Sequence, residues 1–364
     1  MRLPCLRFSL STLTALVASL FLLQPALAAD SAKEKELKIG FVYVSPIGDG
    51  GWSYAHDLAR QELEKMPGIS TSYVEAVPEG PDSERVMLQM ARKKYDLIFA
   101  TSFGYMDPML KVAGQFPDTT FMHCSGFKTA TNMGNYFGRV YQARYLTGMV
   151  AGSMSKSGVI GYVASFPIPE VIRGVNAFTL GVQSVRPDAS VRVVWTKTWY
   201  DPVKEKEAAK SLLDVGADVL TQHQDSPAPQ EAAQEKGVYS IGYNTDMAKF
   251  APKAHLTAAT WNWVPYYEKL IAEVRGGTWT ARSDWPGMAE GVVDIAPFGP
   301  MVPKEVQDKV LTKKAAIIEG KEKIFVGPIK DQGGTVRIAE GLVAPDTDLL
   351  SMNWFVQGVV GSTE

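Results

Sequence analysis

Aromatic and short polar residues occur together in the segments that follow predicted β-strands. One segment follows a strand at residues 37–44, and others follow strands that end near residues 101, 163, 196, 221 and 242. Rings beside carboxylates, amides and hydroxyls are typical of a pocket for a flat, polar heterocycle. The residues of these segments that we predict to contact a ligand are Asp49, Trp52, Ser53, Phe103, Phe166, Trp199, His223, Asp225, Tyr243 and Asn244.

These segments contain no complete catalytic motif. Gly48-Asp-Gly-Gly-Trp-Ser53 is similar to a dinucleotide-binding loop, but a serine stands where the third glycine is needed. The sequence has no phosphate-binding P-loop and no nucleophile elbow, and its four histidines lack the paired spacing of a metal site. Asp49, Asp225 and Asp246 could act in acid–base chemistry, cap the following helices or bind a heterocycle, and His223 could bond to the backbone or contact a ligand. The sequence therefore favours a binding protein without metal or cofactor over an enzyme.

Strand and helix patterns alternate along the chain and must position these residues. A first run begins with the strand at 37–44 and ends with a long helix at 139–155, and a second run begins with a strand at 159–163. Two successive runs of about 110 residues predict an α/β fold with two doubly wound lobes. In such sheets the ligand binds beyond the carboxyl ends of the strands, where the residues named above lie.

Length, charge and cysteine content narrow the class of protein. The chain has 364 residues, with 37 Lys plus Arg against 39 Asp plus Glu and a formal net charge of -2. This balance argues against a large basic surface and therefore against a nucleic-acid partner. Cys5 and Cys124 are the only cysteines, so a framework of several disulfides or a four-cysteine zinc site is excluded.

Residues 1–28 have the features of a secretory signal peptide. Arg2 and Arg7 precede an apolar run from Leu10 to Leu23, and Ala26-Leu-Ala28 matches a cleavage site. The alternative is a membrane anchor, but a run of about 14 residues is short for a span that needs roughly 20. Cys5 precedes the apolar run, so it is no lipid-attachment cysteine. We expect a cleaved protein in the periplasm that is not a lipoprotein.

Several segments, in this order and spacing, resemble the BMP family (basic membrane protein family). They are the strand at 39–44 with the loop at 48–53, Tyr145-Leu-Thr-Gly-Met-Val-Ala-Gly152, Gly158-Val-Ile-Gly-Tyr-Val163, Pro169-Glu-Val-Ile-Arg-Gly-Val-Asn-Ala-Phe178 and Gly216-Ala-Asp-Val219. This family contains substrate-binding proteins of ABC transporters that are similar to purine nucleoside receptors. The resemblance implies a type I periplasmic binding protein fold, with two lobes joined by a hinge and the ligand in the cleft.

The resemblance also implies lobe boundaries and partners. We assign residues 37–156 and about 261–290 to the N-terminal lobe, and residues 157–260 and about 291–364 to the C-terminal lobe. A protein of this kind delivers its ligand to the membrane permease of an ABC transporter, and we expect it to be a monomer. Two other functions stay open: a secreted enzyme that acts on nucleosides, and a sensory protein that regulates a membrane receptor.

Two departures from the family pattern concern the ligand. Nucleoside-binding members carry an aspartate and a lysine that serve the ribose, and Asn244 and Trp261 stand at the matching positions here. An indole would fill the space of the sugar and cannot accept its hydroxyl protons. The resemblance therefore implies that Trp261 belongs to the ligand site and that a purine base such as adenine binds better than a nucleoside. A nucleoside ligand is the alternative.

Overall fold

Runs of β-branched, aromatic and other apolar residues form strands that are covered on both faces. In the computed structural model, which describes residues 36–364, β1 (Leu37–Tyr43) is buried at all but one position and β3 (Leu97–Thr101) at every position. Such burial is typical of parallel sheets flanked by helices. The other strands of the described part are β2 (Ile69–Val74), β4 (Thr120–Cys124), β5 (Met133–Tyr136), β6 (Val159–Ala164), β7 (Ser190–Trp195), β8 (Val219–His223), β9 (Tyr239–Asn244), β10 (His255–Trp261), β11 (Ser283–Asp284), β12 (Val293–Ile295), β13 (Ile329–Lys330), β14 (Val336–Ile338) and β15 (Val359–Val360).

Helices connect the strands, and several of them begin at a proline. Proline is the first residue of α2 (Pro81–Arg92), α5 (Pro169–Gln183) and α6 (Pro202–Asp214), where its missing N–H costs no helical hydrogen bond. The other helices within residues 36–364 are α1 (Trp52–Leu63), α3 (Met106–Ala113), α4 (Tyr141–Met154), α7 (Ala228–Lys236), α8 (Val264–Arg275), α9 (Lys304–Ile318) and α10 (Asp346–Leu350).

The two large sheets share one strand order. The first sheet runs β11-β5-β4-β3-β1-β2, and the second runs β12-β10-β9-β8-β6-β7-β15. Within these two sheets every pairing is parallel except that of β10 with β12. Without β11, β12 and β15, both sheets have the 2-1-3-4-5 order of flavodoxin-like doubly wound folds. The two doubly wound α/β lobes predicted from the sequence are therefore confirmed, with switch points between β1 and β3 and between β6 and β8.

The chain passes between the two sheets at several connections. It leaves the first sheet after β5 and comes back with α8, which contacts α1, and with β11, which pairs with β5. It then joins the second sheet again through β12, which pairs with β10, and through β15, which pairs with β7. We propose that these connections form the hinge between the lobes.

Glycines allow α4 and α5 to pack with their backbones in contact. A β-carbon on Gly148 would lie 2.1 Å from the carbonyl oxygen of Phe178, and one on Gly181 would lie 2.0 Å from that of Tyr145. Helix α4 also contacts β10, so it lies with the second sheet, whereas the sequence-based boundary at residue 156 placed it with the first. We therefore propose that the first connection between the lobes is at residues 137–140.

Two features of the sequence relate to the membrane and to export. None of the helices in residues 36–364 has the length and apolar character needed to cross a bilayer. The predicted signal peptide at residues 1–28 lies outside the described residues. Its cleavage therefore stays a prediction.

Candidate functional site

A cavity lies between the carboxyl ends of the two sheets. Segments that follow the strands of the first sheet contribute Val44, Trp52, Ser102, Phe103 and Ser125. The carboxyl ends of β8 and β9, and the segments that follow strands of the second sheet, contribute Glu170, Trp199, His223, Asp225 and Tyr243. The cavity therefore lies between the two switch points. Six of the residues predicted from the sequence line it.

Two tryptophans line the cavity from different sheets, and a hydrogen bond fixes each of them. Trp52 is the first residue of α1, and its Nε1 donates to the carbonyl oxygen of Thr101 at 2.7 Å. Trp199 follows β7, and its Nε1 donates to Oε1 of Glu79 at 3.3 Å. Because both indole N–H groups are engaged, the two side chains offer a ligand apolar ring surface and no donor.

Three polar atoms of the lining are shut off from solvent and have no hydrogen-bond partner. They are Oε2 of Glu170, Nδ1 of His223 and Oδ2 of Asp225, and all three come from segments of the second sheet. His223 is 3% exposed and Asp225 is 4% exposed. An unmet buried polar group costs about 1–3 kcal/mol, and a ligand that bonds to these atoms would remove that cost.

Neighbouring side chains hold the other polar atoms of these three residues. The hydroxyl of Tyr243 lies 3.2 Å from Nε2 of His223, and Nδ2 of Asn244 lies 3.5 Å from Oδ1 of Asp225. The hydroxyl of Ser125 donates to the carboxyl group of Glu170. Each residue is thus held at one atom and free at another, as expected of groups that orient a ligand.

Burial shifts the pKa of each of these groups toward its neutral form. It raises the pKa of Glu170 to about 7 and raises the pKa of Asp225 well above its ordinary value. It lowers the pKa of His223, and the guanidinium of Arg144 lowers that pKa further. Arg144 does not line the cavity, because its guanidinium stacks 3.9 Å from the ring centroid of Tyr243. Among the described residues that line the cavity there is no lysine or arginine.

Asp49 and Ser53, both predicted to contact a ligand, are engaged in the start of α1 and do not line the cavity. Asp49 accepts hydrogen bonds from the N–H of Gly51 at 2.8 Å, the N–H of Ser53 at 3.0 Å and the hydroxyl of Ser45 at 2.6 Å. The hydroxyls of Ser45 and Ser53 lie 2.7 Å apart. For Asp49 these bonds match the helix-capping alternative.

Asn244, Trp261 and Phe166 lie one layer behind the lining. Nε1 of Trp261 donates to Oδ1 of Asn244 at 2.9 Å, and the Trp261 ring is 5.7 Å from that of Trp52. Asn244 has a φ of 72°, a left-handed conformation that asparagine tolerates. The ring of Phe166 lies 4.9 Å from that of Trp199. These three predicted ligand residues therefore support the residues that line the cavity.

Glu170 lines the cavity, as do Ser102 and Ser125, but none of the three was predicted from the sequence. Glu170 is the second residue of α5, which follows β6 at the switch point of the second sheet. A carboxylate at that place was a usable signal, because ligands bind beyond such strands. A first-turn carboxylate also stabilises a helix N-terminus, so residue type alone could not separate the two roles.

Two of the histidines that do not line the cavity are placed by contacts with neighbouring residues. Nδ1 of His56 lies 2.6 Å from the Tyr267 hydroxyl, and Nε2 of His123 lies 2.7 Å from the carbonyl oxygen of Ser102. Within residues 36–364, no three His, Cys, Asp or Glu side chains are grouped so that they could hold a metal ion. The prediction that the protein uses no cofactor stays a prediction.

Segments of the two sheets touch each other beside the cavity. The hydroxyl of Thr245, which follows β9, donates to the carbonyl oxygen of Gly50 at 2.5 Å. A β-carbon on Gly51 would lie 2.2 Å from the carbonyl oxygen of Asp225. The structure therefore has its two lobes closed over the cavity.

Comparisons with known proteins agree with this architecture. A family model described as "ABC transporter substrate-binding protein PnrA-like" matches residues 36–332. A purine-binding protein of Brucella abortus is 47% identical over 328 residues, which are 90% of this chain and 93% of that protein. A Haloferax volcanii protein, named as a candidate ABC transporter glucose-binding protein, is 44% identical over 288 residues, which are 79% of this chain and 73% of that protein. The solved structure of an ABC transporter solute-binding protein from Conexibacter woesei is 25% identical, with a TM-score of 0.65 over 79% of this chain and 98% of that one.

Proposed function

The chain belongs to the BMP family of PnrA-like ABC transporter substrate-binding proteins, and we propose that it captures a purine base such as adenine in the cavity between its lobes. The family resemblance and the type I periplasmic binding protein fold predicted from the sequence are confirmed. The similarity to the purine-binding protein of Brucella abortus supports the ligand class. We also propose delivery of the base to a membrane permease, which the same family membership supports.

The observation that carries this proposal is the composition of the cavity. Four aromatic side chains, Trp52, Phe103, Trp199 and Tyr243, surround a space with three unpartnered polar atoms. Stacking of a base on an aromatic side chain contributes about 1–3 kcal/mol, and micromolar affinity needs about 8 kcal/mol. Hydrogen bonds from ring nitrogens and an amine to Glu170, His223 and Asp225 would supply the remainder.

The packing behind the lining favours a base over a nucleoside. Trp261 and Asn244, which bond to each other, close the space behind Trp52. A ribose in that direction would have to displace the indole and would leave hydroxyl groups without partners.

Glucose is a second candidate, because the name of the Haloferax volcanii relative includes it. A sugar also stacks on tryptophan, but it carries several hydroxyl groups that each need partners. Three free polar atoms would leave some of these hydroxyls unmet, at about 1–3 kcal/mol each. The lining therefore favours the purine.

Calorimetric titration with adenine, adenosine and glucose tests the proposal, together with mass spectrometry of the ligand released from the denatured protein. We expect micromolar or tighter binding of adenine, weaker binding of adenosine and no heat from glucose. Binding of glucose without binding of adenine would contradict the proposal.

We further propose that the protein binds its ligand without altering it, in the periplasm and as a monomer. Glu170 and Asp225 are the only pair of carboxyl groups among the described residues of the lining, and no nucleophile with an adjacent base accompanies them. Incubation with adenosine followed by chromatography should return adenosine unchanged. Loss of adenine uptake in cells that lack this protein tests its role in transport.

A further inference from the structure

We infer that Glu170 is a further specificity-determining residue, which together with Asp225 restricts the ligand to uncharged nitrogen heterocycles that present N–H donors on two edges. The inference rests on the proposed function, because it concerns the same cavity and its ligand. The sequence pattern did not identify this residue, and the position of its free oxygen does.

The free carboxyl oxygens require donors. One oxygen of Glu170 is bonded to Ser125, while Oε2 is closed off from solvent and unpartnered. Oδ1 of Asp225 is held by Asn244, while Oδ2 is unpartnered. A carboxylate oxygen only accepts, and hydrogen bonds from N–H donors favour the ionised form against the burial that favours the neutral one. A ligand that brings N–H groups to both positions therefore satisfies two ionised carboxylates, whereas a carbonyl oxygen there would face another acceptor.

The charge around the cavity excludes anions. Glu170 and Asp225 bring two acidic groups to the lining, and none of the described lining residues is a lysine or arginine. Two cations lie behind the lining: Arg144 bonds to the carbonyl oxygen of Gln222 at 2.8 Å and stacks on Tyr243, and Arg173 bonds to the carbonyl oxygen of Leu349 at 2.6 Å. An anion would lose its water in this closed site without a cation of the lining to pair with, so we expect a urate or a nucleotide to be rejected.

Glu205 offers a comparison for Glu170, because its buried carboxyl group has structural partners only. Glu205 is buried, and burial raises its pKa to about 7, as it does for Glu170. Both oxygens of Glu205 have partners, because one accepts from the Ser226 hydroxyl and the other from the N–H of Asp201. Glu205 does not line the cavity. Glu205→Gln is therefore the matched control for Glu170→Gln.

The test is calorimetric titration of the full protein with four probes. They are adenine, purine without the exocyclic amine, 9-methyladenine without the imidazole N–H, and urate, which is an anion at neutral pH. We expect the wild type to bind adenine about tenfold or more tightly than either donor-deleted analogue, since each leaves one acceptor unmet. Urate should give no heat.

The variants assign the role to the side chain. Glu170→Gln should bind adenine about tenfold or more weakly than the wild type does. For the analogue that lacks the N–H accepted by Glu170, the variant and the wild type should bind with equal affinity. Glu205→Gln should bind all four probes as the wild type does. Thermal unfolding of both variants shows that they are folded.

Three results would overturn the inference: an equal loss for adenine and both analogues in Glu170→Gln, tight binding of urate, or equal wild-type affinity for adenine and both analogues. The last two need no variant, so they decide the matter even if Glu170→Gln does not fold. A wild type that binds no purine at all instead contradicts the proposed function.

Discussion

A single methyl group at Gly51 should hold the two lobes apart. Gly51 directly precedes α1 on the first sheet, and a β-carbon there would lie 2.2 Å from the carbonyl oxygen of Asp225 on the second. Ordinary contacts begin at 3.4 Å, so the two segments would have to separate by more than an ångström. Neither can easily move aside, because the N–H of Gly51 bonds to Asp49 and the N–H of Asp225 bonds to the carbonyl oxygen of Trp199.

The expected magnitude follows from what closure contributes to binding. If Gly51→Ala prevents full closure, the ligand loses the aromatic contact or the hydrogen bonds of one lobe. One stack contributes about 1–3 kcal/mol, and each 1.4 kcal/mol changes the dissociation constant about tenfold. We therefore expect Gly51→Ala to bind adenine about 10- to 100-fold more weakly than the wild type.

Calorimetric titration with adenine measures the effect, and Gly48→Ala is the matched control. Gly48 lies in the same loop, but a β-carbon there has no atom within 4 Å, so this variant should bind like the wild type. If Gly48→Ala weakened adenine binding as much as Gly51→Ala does, the cause would be a change in the loop and not the contact with Asp225. Adenine affinity in Gly51→Ala within about threefold of the wild type would refute the reasoning, because one stack is worth at least that factor.

Three further predictions concern stability, selectivity and export. Burial raises the pKa of Glu205 from 4.5 to about 7, so ionisation destabilises the folded wild type as pH rises through that range. As pH rises from 4.5 to about 7, the free energy of unfolding in urea should increase for Glu205→Gln relative to the wild type, and at higher pH this difference should stay constant. Trp261→Ala should narrow the preference for adenine over adenosine by opening space for the sugar, and an unchanged ratio in titrations would count against this. N-terminal sequencing of the exported protein should begin near Ala29; a retained Met1 or an attached lipid would contradict it.

The place of the site could be predicted from the sequence because both sheets are parallel and doubly wound. Their strand ends meet at one crevice, so residues at or after strand ends, such as Trp52, Trp199 and His223, reach one cavity although they are distant in sequence. The alternation of buried strands and helices was sufficient for this step. It did not require knowledge of any side-chain contact.

The roles of individual polar residues could not be predicted in the same way. Asp49 and Glu170 are both carboxylates at the start of a helix that follows a strand of the switch point. The carboxyl group of Asp49 already accepts hydrogen bonds from three backbone N–H groups and a serine hydroxyl, whereas Glu170 keeps one oxygen free. That difference depends on how each loop folds and on where Ser45 stands, which residue type and spacing do not determine.

Both lobes contribute rings to the cavity, but among the described lining residues only the second lobe contributes unpartnered polar atoms, and this separates affinity from selectivity. Trp52 and Phe103 of the first lobe supply ring surface, and the indole N–H of Trp52 is already bonded to Thr101. The unpartnered polar atoms all belong to the second lobe, on Glu170, His223 and Asp225. Changes in the first lobe that impair stacking or closure should therefore weaken related purines alike, since all have a ring face. Changes at the three polar residues should alter the order of preference among purines, because only they distinguish donors from acceptors.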